Sequence, residues 1–284
     1  MPRLKVMTLN IWGYRGDWQT RRSRLVKILQ DEEIDVLLLQ EVEERVLQAN
    51  QAAEIVQLTG YAMAFVPAQR YFLWPSVSTG LAILSRFPIS NPFVTEITRQ
   101  SGLFPTAANE RRVAQRVEIS LDGMSVVIYN THFPLDADER LKAAHRLWMQ
   151  VVQEEAVLVV VGGDFNAKPE EDSVQFLLGR QIVDGVYGQL IDSWSQAGVG
   201  TAETFPVRTP RSRIDYIFYQ AEPSVIVQES KVIGLPPNEI SDHAGVVATF
   251  AISPSRDPET PYVEEPIGSL EPTGGGRGGF FDDL

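Results

Sequence analysis

Apolar and polar positions along the chain follow two periods, which separate predicted strands from predicted helices. Alternating or continuous apolar runs predict strands at residues 4–11, 35–39, 80–84, 113–121, 126–130, 157–161, 214–219, 225–233 and 244–252. Apolar positions at helical spacing predict helices at residues 20–30, 44–58, 138–154 and 172–178. Gly60 lies just past the second helix, and Asp122-Gly123 is a hairpin signal between two strands.

Both halves of the chain show the order strand, helix, strand and then further strands. Helices with apolar faces that flank many strands predict an α/β fold. We expect a four-layer α/β/β/α sandwich, in which two mixed β-sheets pack together and helices cover their outer faces. Residues 1–252 are predicted to form this single domain. Residues 253–284 are rich in Pro, Gly and Glu and predict a flexible tail, with a short docking peptide as the alternative.

Composition and charge restrict the chemistry. Hydrophobic residues make up 44% of the chain, enough for a large core, and the net charge of -12 disfavours nucleic acid unless a basic patch or bound metal offsets it. The absence of cysteine excludes disulfides, thiolate catalysis and cysteine-bound zinc. No segment has the pattern of a signal peptide or a membrane span, so we expect a cytoplasmic protein. We also expect a monomer.

Several polar residues directly follow or begin the predicted strands. Rigid scaffolds present catalytic groups to a cleft at such places, although a single polar residue there usually only starts a loop. These residues carry carboxylate, carboxamide or imidazole groups, which bind a hard cation and activate water. The set consists of Asn10, Glu41, His132, Asp164, Asn166, Asp215, Asp242 and His243.

Two short motifs within this set allow two interpretations each. In Gly162-Gly163-Asp164-Phe165-Asn166, the glycines permit a tight turn, and an extended backbone would point Asp164 and Asn166 the same way. The alternative is a simple Asx-type turn. In Ser241-Asp242-His243, a loop could direct both acidic and imidazole groups into a cleft, or His243 could be merely hydrogen-bonded.

The ordered motifs TLNIW, LLLQEV, GLAILSRFPI, NTHF, GGDFNAKP, RIDYIF and SDHAGV resemble those of the endonuclease/exonuclease/phosphatase superfamily. The resemblance covers about residues 4–252 and implies the fold of pancreatic-type deoxyribonuclease I. It implies a divalent-metal-dependent hydrolase of phosphate esters, foremost a phosphodiesterase of a nuclease, sphingomyelinase-like or phosphatase branch. Nucleic acid, a phospholipid head group and a small phosphate all stay open as the substrate.

The same resemblance implies a metal site and its ligands. Glu41 resembles the direct metal ligand, Asn10 its partner in the site, and Asp242 a further carboxylate of the metal shell. Oxygen-rich ligands without cysteine favour Mg²⁺ or Mn²⁺ as the cofactor.

The resemblance also implies catalytic roles. Asp164 resembles the residue that activates the attacking water, and Asn166 the neighbour that holds the phosphate. His243 resembles the imidazole on the scissile phosphate, with Asp215 fixing its orientation. His132 resembles a second active-site histidine.

Some features depart from the better-known branches. No Asp or Glu occurs from residue 61 to residue 95, so the expected acidic partner of His132 is missing or comes from elsewhere. Glu43 stands where nuclease branches often have a basic residue, which argues against duplex DNA.

Substrate contacts are predicted outside this set. Arg116 could contact phosphate, and Trp12 could line the cleft rim, against the alternatives of strand-surface charge and core packing. The rim could also include Tyr71, Phe72 and Trp74.

A catalytically silent phosphate-binding module is the alternative function, and the completeness of the site argues against it. The rim discriminates among substrates. A wide basic groove would favour nucleic acid, a narrow basic pocket small phosphates, and a protruding apolar hairpin lipid.

Overall fold

The computed structural model describes residues 1–45, 50–70, 77–98 and 111–253. Its strands are β1 (Arg3–Asn10), β2 (Val36–Arg45), β3 (Ala62–Arg70), β4 (Val77–Ser85), β5 (Ser90–Glu96), β6 (Val113–Leu121), β7 (Met124–His132), β8 (Leu158–Asp164), β9 (Ile191–Asp192), β10 (Gly198–Val199), β11 (Asp215–Ala221), β12 (Val225–Ile233) and β13 (Gly245–Ile252). Its helices are α1 (Trp18–Asp31), α2 (Gln51–Thr59), α3 (Ala137–Val151), α4 (Asp172–Leu177) and α5 (Ser193–Ala197).

The strands form two mixed sheets, which confirms the predicted fold class. The seven-stranded sheet has the order β10-β12-β13-β1-β2-β4-β3, and the six-stranded sheet has the order β5-β6-β7-β8-β11-β9. In the first sheet β1 runs parallel to β2 and antiparallel to β13. In the second sheet β8 runs parallel to β7 and antiparallel to β11.

Three apolar clusters separate the four layers. The middle cluster joins the sheets through residues such as Leu38 and Val160, which alternate with residues that face outward. Leu25 of α1 and Ile55 of α2 pack on the outer face of the seven-stranded sheet. Leu147 of α3 packs with α4 on the outer face of the six-stranded sheet. Burial of these stripes holds the helices in place.

Alternation along the inner faces also delivers the polar residues to one end of the sandwich. In β7, the inward-facing Val126 and Ile128 are followed by Asn130 and His132. The parallel pairs β1–β2 and β7–β8 end at the same side, so the polar residues that close these strands converge there.

Two sequence predictions about secondary structure were wrong. The helix predicted at 44–58 is the shorter α2, because Asn50 caps its N-terminus and β2 continues to Arg45. The strands β3, β5, β9 and β10 and the short helix α5 were missed. The four strands lie at the sheet edges, β5 is largely exposed, and β9 and β10 have two residues each, so none shows a clear alternation of buried residues.

Some predictions fall outside the described residues. They concern Tyr71, Phe72 and Trp74 at the rim, the segment 46–49, and the tail of residues 253–284 apart from Ser253. Within the part of the chain that the structure describes, no helix is long and apolar enough to cross a membrane.

Candidate active site

Asp164 is the centre of the polar cluster. It closes β8 and is 1% exposed, with three other predicted site residues around its Oδ2 atom. Asn10 Nδ2 donates to this oxygen at 3.0 Å, while His132 Nε2 lies at 3.4 Å and His243 Nε2 at 3.9 Å. Burial and the nearby charge of Asp215 raise the pKa of Asp164 to about 6. A carboxylate with such a pKa is an effective proton acceptor near neutral pH.

His243 and Asp215 form a buried pair. His243 Nδ1 lies 3.0 Å from Asp215 Oδ2, and this oxygen also accepts a hydrogen bond from Thr204 Oγ1 at 2.5 Å. Burial alone would lower the pKa of His243, but the charges of Asp215, Asp164 and Asp242 raise it to about 10. The imidazole is therefore protonated at neutral pH, with its Nε2 atom directed toward Asp164.

Glu41 reaches the same cluster through an irregularity in β2. The pairing of β2 with β4 shifts between Leu39 and Val42, and Glu41 has a left-handed φ of 55°. Its Oε1 atom accepts a hydrogen bond from Asn10 Nδ2 at 3.2 Å, and its Oε2 atom pairs with Arg15 at 3.1 Å. Asn10 therefore links Glu41 to Asp164.

Asp242 adds a further carboxylate beside Glu41. Burial raises the pKa of Asp242, and the negative charge of Glu41 raises it further. Ser241 holds this segment against β1, because its hydroxyl donates to the Asn10 carbonyl at 2.6 Å.

The donor set fits a hard divalent cation. Glu41, Asp164 and Asp242 supply oxygen atoms. Burial raises the pKa values of Asp164 and Asp242, and the nearby charges of Asp215 and Glu41 raise them further, so a cation would stabilise the ionised carboxylates. Ligand atoms of Asp164, Asp215 and His243 also lie within 4.8 Å of one another. Asp215 and His243 already bond to each other in this group, whereas Asn10 Nδ2 brings Glu41 Oε1 and Asp164 Oδ2 together on the other side of the cluster.

The glycines of the GGDFN motif do not form the predicted turn. Both lie within β8, where they permit close packing. A Cβ on Gly162 would lie 2.5 Å from Leu38 Cδ1, and one on Gly163 would lie 2.0 Å from the Thr131 carbonyl. They let β8 approach both β2 and β7 directly below Asp164.

Asn166 is also not in the predicted extended backbone, since its φ is 48°. Its N–H donates to Asp164 Oδ1 at 2.9 Å, which is the Asx-type contact considered as the alternative. Its Nδ2 donates to the Phe133 carbonyl. Asn166 therefore orients Asp164, and the second N–H of its Nδ2 atom is the donor that could meet a phosphoryl oxygen.

His132 closes β7 and is nearly as buried as His243. Burial lowers the pKa of His132 well below its ordinary value, and the nearby charges of Arg112 and His243 lower it further. Among the described residues, the carboxylate within ion-pair distance of His132 is Asp164, whose Oδ2 atom lies 3.4 Å from Nε2. The two site histidines therefore differ in charge at neutral pH.

The structure places Arg116 away from this cluster, contrary to the predicted substrate contact. Its Nε and Nη2 atoms each donate to Glu154 at 2.8 Å, and Glu154 also accepts from Tyr129. Tyr129 packs in the cluster under α3, so this network lies on the outer face of the six-stranded sheet. The strand register directs Arg116 outward.

Trp12 lies beside the site. Its N–H donates to Asn10 Oδ1 at 3.1 Å, and the Arg21 guanidinium lies 5.5 Å from its ring centre. The ring is half-buried, so the predicted rim position of Trp12 stays a proposal.

Two positioning residues escaped the sequence analysis. Arg21 of α1 is buried and donates to the carbonyls of Ile11, Gly13 and Arg15, which fixes the loop after Asn10. Thr204 holds Asp215. A helical arginine and a loop threonine carry no local signal for such contacts, because the partners are set by the tertiary fold.

A narrow pocket opens beside Glu41 and His132. Its cavity volume is about 100 Å³, and Arg15, Arg111 and Arg112 contribute positive charge to its wall. Arg111 donates to the Ala68 carbonyl of β3 at 3.0 Å, which joins the two sheets at this pocket.

Comparisons with known proteins agree with this fold. The human Nocturnin catalytic domain with bound sulfate has a TM-score of 0.67 and 21% identity, over 89% of this chain and 95% of that one. A Bacteroides thetaiotaomicron mannosyl-6-phosphatase has a TM-score of 0.70 and 18% identity, over 88% and 100%. A Leptotrichia buccalis endonuclease/exonuclease/phosphatase family protein has a TM-score of 0.73 and 19% identity, over 88% and 100%. At these identities the likeness shows the fold.

No curated protein matches the sequence significantly. The sequence model of the Endonuclease/Exonuclease/phosphatase family, however, matches residues 7–243, which is most of the chain and spans every motif from Asn10 to His243. The chain therefore belongs to the Endonuclease/Exonuclease/phosphatase family.

Proposed function

We propose that this protein is a Mg²⁺- or Mn²⁺-dependent phosphodiesterase that hydrolyses small phosphate diesters. One observation carries the proposal: a carboxylate with a raised pKa, Asp164, faces a protonated imidazole, His243, within a single buried cluster. A proton acceptor beside a fixed positive charge suits the attack of water on an anionic phosphoryl group.

Each residue of the cluster has a distinct part in the proposed reaction. Asp164 accepts the proton of the attacking water as the water oxygen bonds to phosphorus, and the Asn166 N–H fixes one oxygen of Asp164. The ester P–O bond breaks, and the leaving alkoxide takes a proton from solvent. His243 donates a hydrogen bond from Nε2 to a phosphoryl oxygen, while Asp215 holds its Nδ1 side. Phosphoryl transfer depends on such positioning and charge stabilisation.

Glu41, with Asn10 and Asp242, would hold the divalent cation. When bound, the cation would offset charge on the phosphoryl oxygens. The oxygen donors favour Mg²⁺ or Mn²⁺ over thiolate-binding metals.

The pocket supports a small substrate. Its three arginines contribute positive charge that favours an anion, whereas its volume of about 100 Å³ does not match a duplex groove. Glu43 also lines the pocket, and its negative charge would repel the phosphates of duplex DNA. The mannosyl-6-phosphatase and the sulfate bound to the nocturnin domain are consistent with a phosphate-sized anion at this fold.

A metal-supplemented substrate panel tests the proposal. The full chain is assayed with Mg²⁺, Mn²⁺ or chelator against an aryl phosphodiester, an aryl phosphomonoester, single- and double-stranded DNA, RNA and sphingomyelin. We expect metal-dependent turnover of the aryl phosphodiester, lost in Asp164→Asn. If wild-type protein cleaves none of these substrates with either metal, the protein is a silent binding module and the proposal fails.

A further inference from the structure

The backbone that carries Glu41 is irregular in a specific way. Leu39 pairs with Ala82 and Val42 pairs with Gly80, so two residues of β2, Gln40 and Glu41, oppose a single residue of β4. This is a β-bulge, which redirects the side chain it carries. The left-handed φ of 55° at Glu41 costs about 1–2 kcal/mol for a residue with a side chain, so surrounding contacts must hold it.

One side chain from the opposite sheet holds both strands of this bulge. Asn130 of β7 is fully buried, and its Nδ2 atom donates to the Leu39 carbonyl at 2.9 Å and the Ala82 carbonyl at 3.0 Å. These carbonyls belong to the last regular pair before the bulge. The Oδ1 atom of Asn130 accepts from Gln40 Nε2 at 2.7 Å, so the amide uses both donors and its acceptor.

Gln40 completes the contact from within the bulge. It is fully buried, and its Nε2 atom also donates to Thr8 Oγ1 at 3.0 Å. Among the residues the structure describes, its Oε1 atom has no hydrogen-bond partner. A buried acceptor without a partner costs about 1–3 kcal/mol. Gln40 and Asn130 thus form a polar layer between the sheets, next to apolar residues such as Leu38 and Ile128. Core packing does not explain this polar layer.

We propose that Asn130 and Gln40 are a positioning pair, which fixes the β2 bulge and so holds the Glu41 carboxylate in the cleft. The inference rests on the metal role proposed above for Glu41. Asn130 also lies two residues before His132 in β7, so the same contact ties the Glu41 strand to the His132 strand. Neither residue touches the proposed reacting atoms, and both act through backbone placement.

Matched variants separate this role from general stability. Asn130→Ala removes the amide, and Gln40→Met removes the same hydrogen bond at nearly constant volume. The control is Gln115→Ala. Gln115 lies opposite Asn130 in the β6–β7 pairing and is also buried, but it donates to the Ala64 carbonyl at 2.9 Å and not to a residue of the bulge.

Two measurements are made on the full chain. One is the Mn²⁺ dissociation constant from calorimetric titration, with the melting temperature recorded for each variant. The other is backbone hydrogen exchange of residues 39–42, which reports on the bulge without any metal. Mutation of a residue that holds a metal ligand in place typically weakens metal binding by roughly 10–100-fold.

We expect Asn130→Ala and Gln40→Met to weaken Mn²⁺ binding by at least about 10-fold and to accelerate exchange at residues 39–42. Gln115→Ala should lower the melting temperature without either change. Wild-type affinity and exchange in folded Gln40→Met, or equal losses in Gln115→Ala, would overturn the inference.

Glu41→Gln in the same titration distinguishes the two proposals. If this variant binds Mn²⁺ as tightly as the wild type, the metal role of Glu41 fails. The exchange data on residues 39–42 then still decide whether the pair fixes the bulge.

Discussion

Asp215 lies directly opposite Asp164 in the antiparallel pairing of β11 with β8, and it holds the Nδ1 atom of His243 at 3.0 Å. The strand register thus places two buried carboxylates side by side, with an imidazole in contact with one and close to the other. Two like charges at this spacing oppose each other, and the protonated ring relieves that repulsion. The register of two strands therefore sets the protonation states on which the proposed chemistry depends.

Substitution of Asp215 tests this relationship. Asp215, with smaller contributions from Asp164 and Asp242, raises the pKa of His243 to about 10 against the effect of burial, so the protonated form is favoured below that pH and lost above it. We expect the pKa of His243 in Asp215→Asn to fall toward the ordinary value of about 6.5. An NMR titration of the imidazole measures the pKa directly, and the alkaline limb of the pH–rate profile should move in the same direction.

The contribution of His243 to folding stability also decreases as the pH rises. A histidine whose folded pKa exceeds its unfolded pKa contributes stability that is fully present below about pH 6.5 and disappears as the pH rises to about 10. The free energy of unfolding of Asp215→Asn should therefore lie below that of the wild type at low pH, and the difference should shrink as the pH rises toward 10. An unchanged His243 titration in the variant would contradict the assignment of Asp215.

Asp164→Asn tests the proposed proton acceptor. The amide cannot take a proton from water, so kcat should fall by on the order of 10²–10⁴ while the fold persists. Burial disfavours the charged form of Asp164 and raises its pKa to about 6. The wild-type rate should therefore decline as the pH falls through about 6 when the metal binds too weakly to keep the carboxylate ionised. Circular dichroism controls for folding. A folded variant with wild-type kcat would remove Asp164 from the mechanism.

Sequence patterns predicted the ends of the strands better than the contacts between them. Asn10 and Asp164 could be predicted because each follows the apolar pattern of a buried strand. Arg116 could not be placed, because the face it occupies depends on register and on which sheet face meets the cleft. The bond between Gln40 and Asn130 joins residues 90 positions apart and leaves no local pattern.

Glu41→Gln tests the proposed metal ligand. Loss of the carboxylate charge should weaken Mn²⁺ binding by at least about 10-fold, because hard divalent cations favour anionic oxygen. Glu43→Gln is the matched control, since Glu43 lies two residues further along β2 and lines the same pocket. It should bind Mn²⁺ within about twofold of the wild type, because twofold is about 0.4 kcal/mol and lies within the scatter of about 0.5 kcal/mol that is usual for surface substitutions. Equal effects of the two variants would point to bulk charge instead of ligation.

Arg116→Gln should change stability and leave catalysis intact. Arg116 makes two hydrogen bonds to Glu154 on the outer face of the six-stranded sheet, and the variant leaves that carboxylate with Tyr129 alone. Hydrogen bonds between charged groups are typically worth about 1.5–3 kcal/mol, so we expect a loss of about 2 kcal/mol in the free energy of unfolding at neutral pH.

This stability contribution depends on pH. Arg116 lowers the pKa of Glu154, so the contribution is present above the unfolded pKa of 4.5 and is lost as the pH falls below it. Urea unfolding at several pH values measures the effect, which should shrink in acid while kcat/KM at neutral pH equals the wild-type value. A rise in KM with unchanged kcat would instead indicate that Arg116 contacts the substrate.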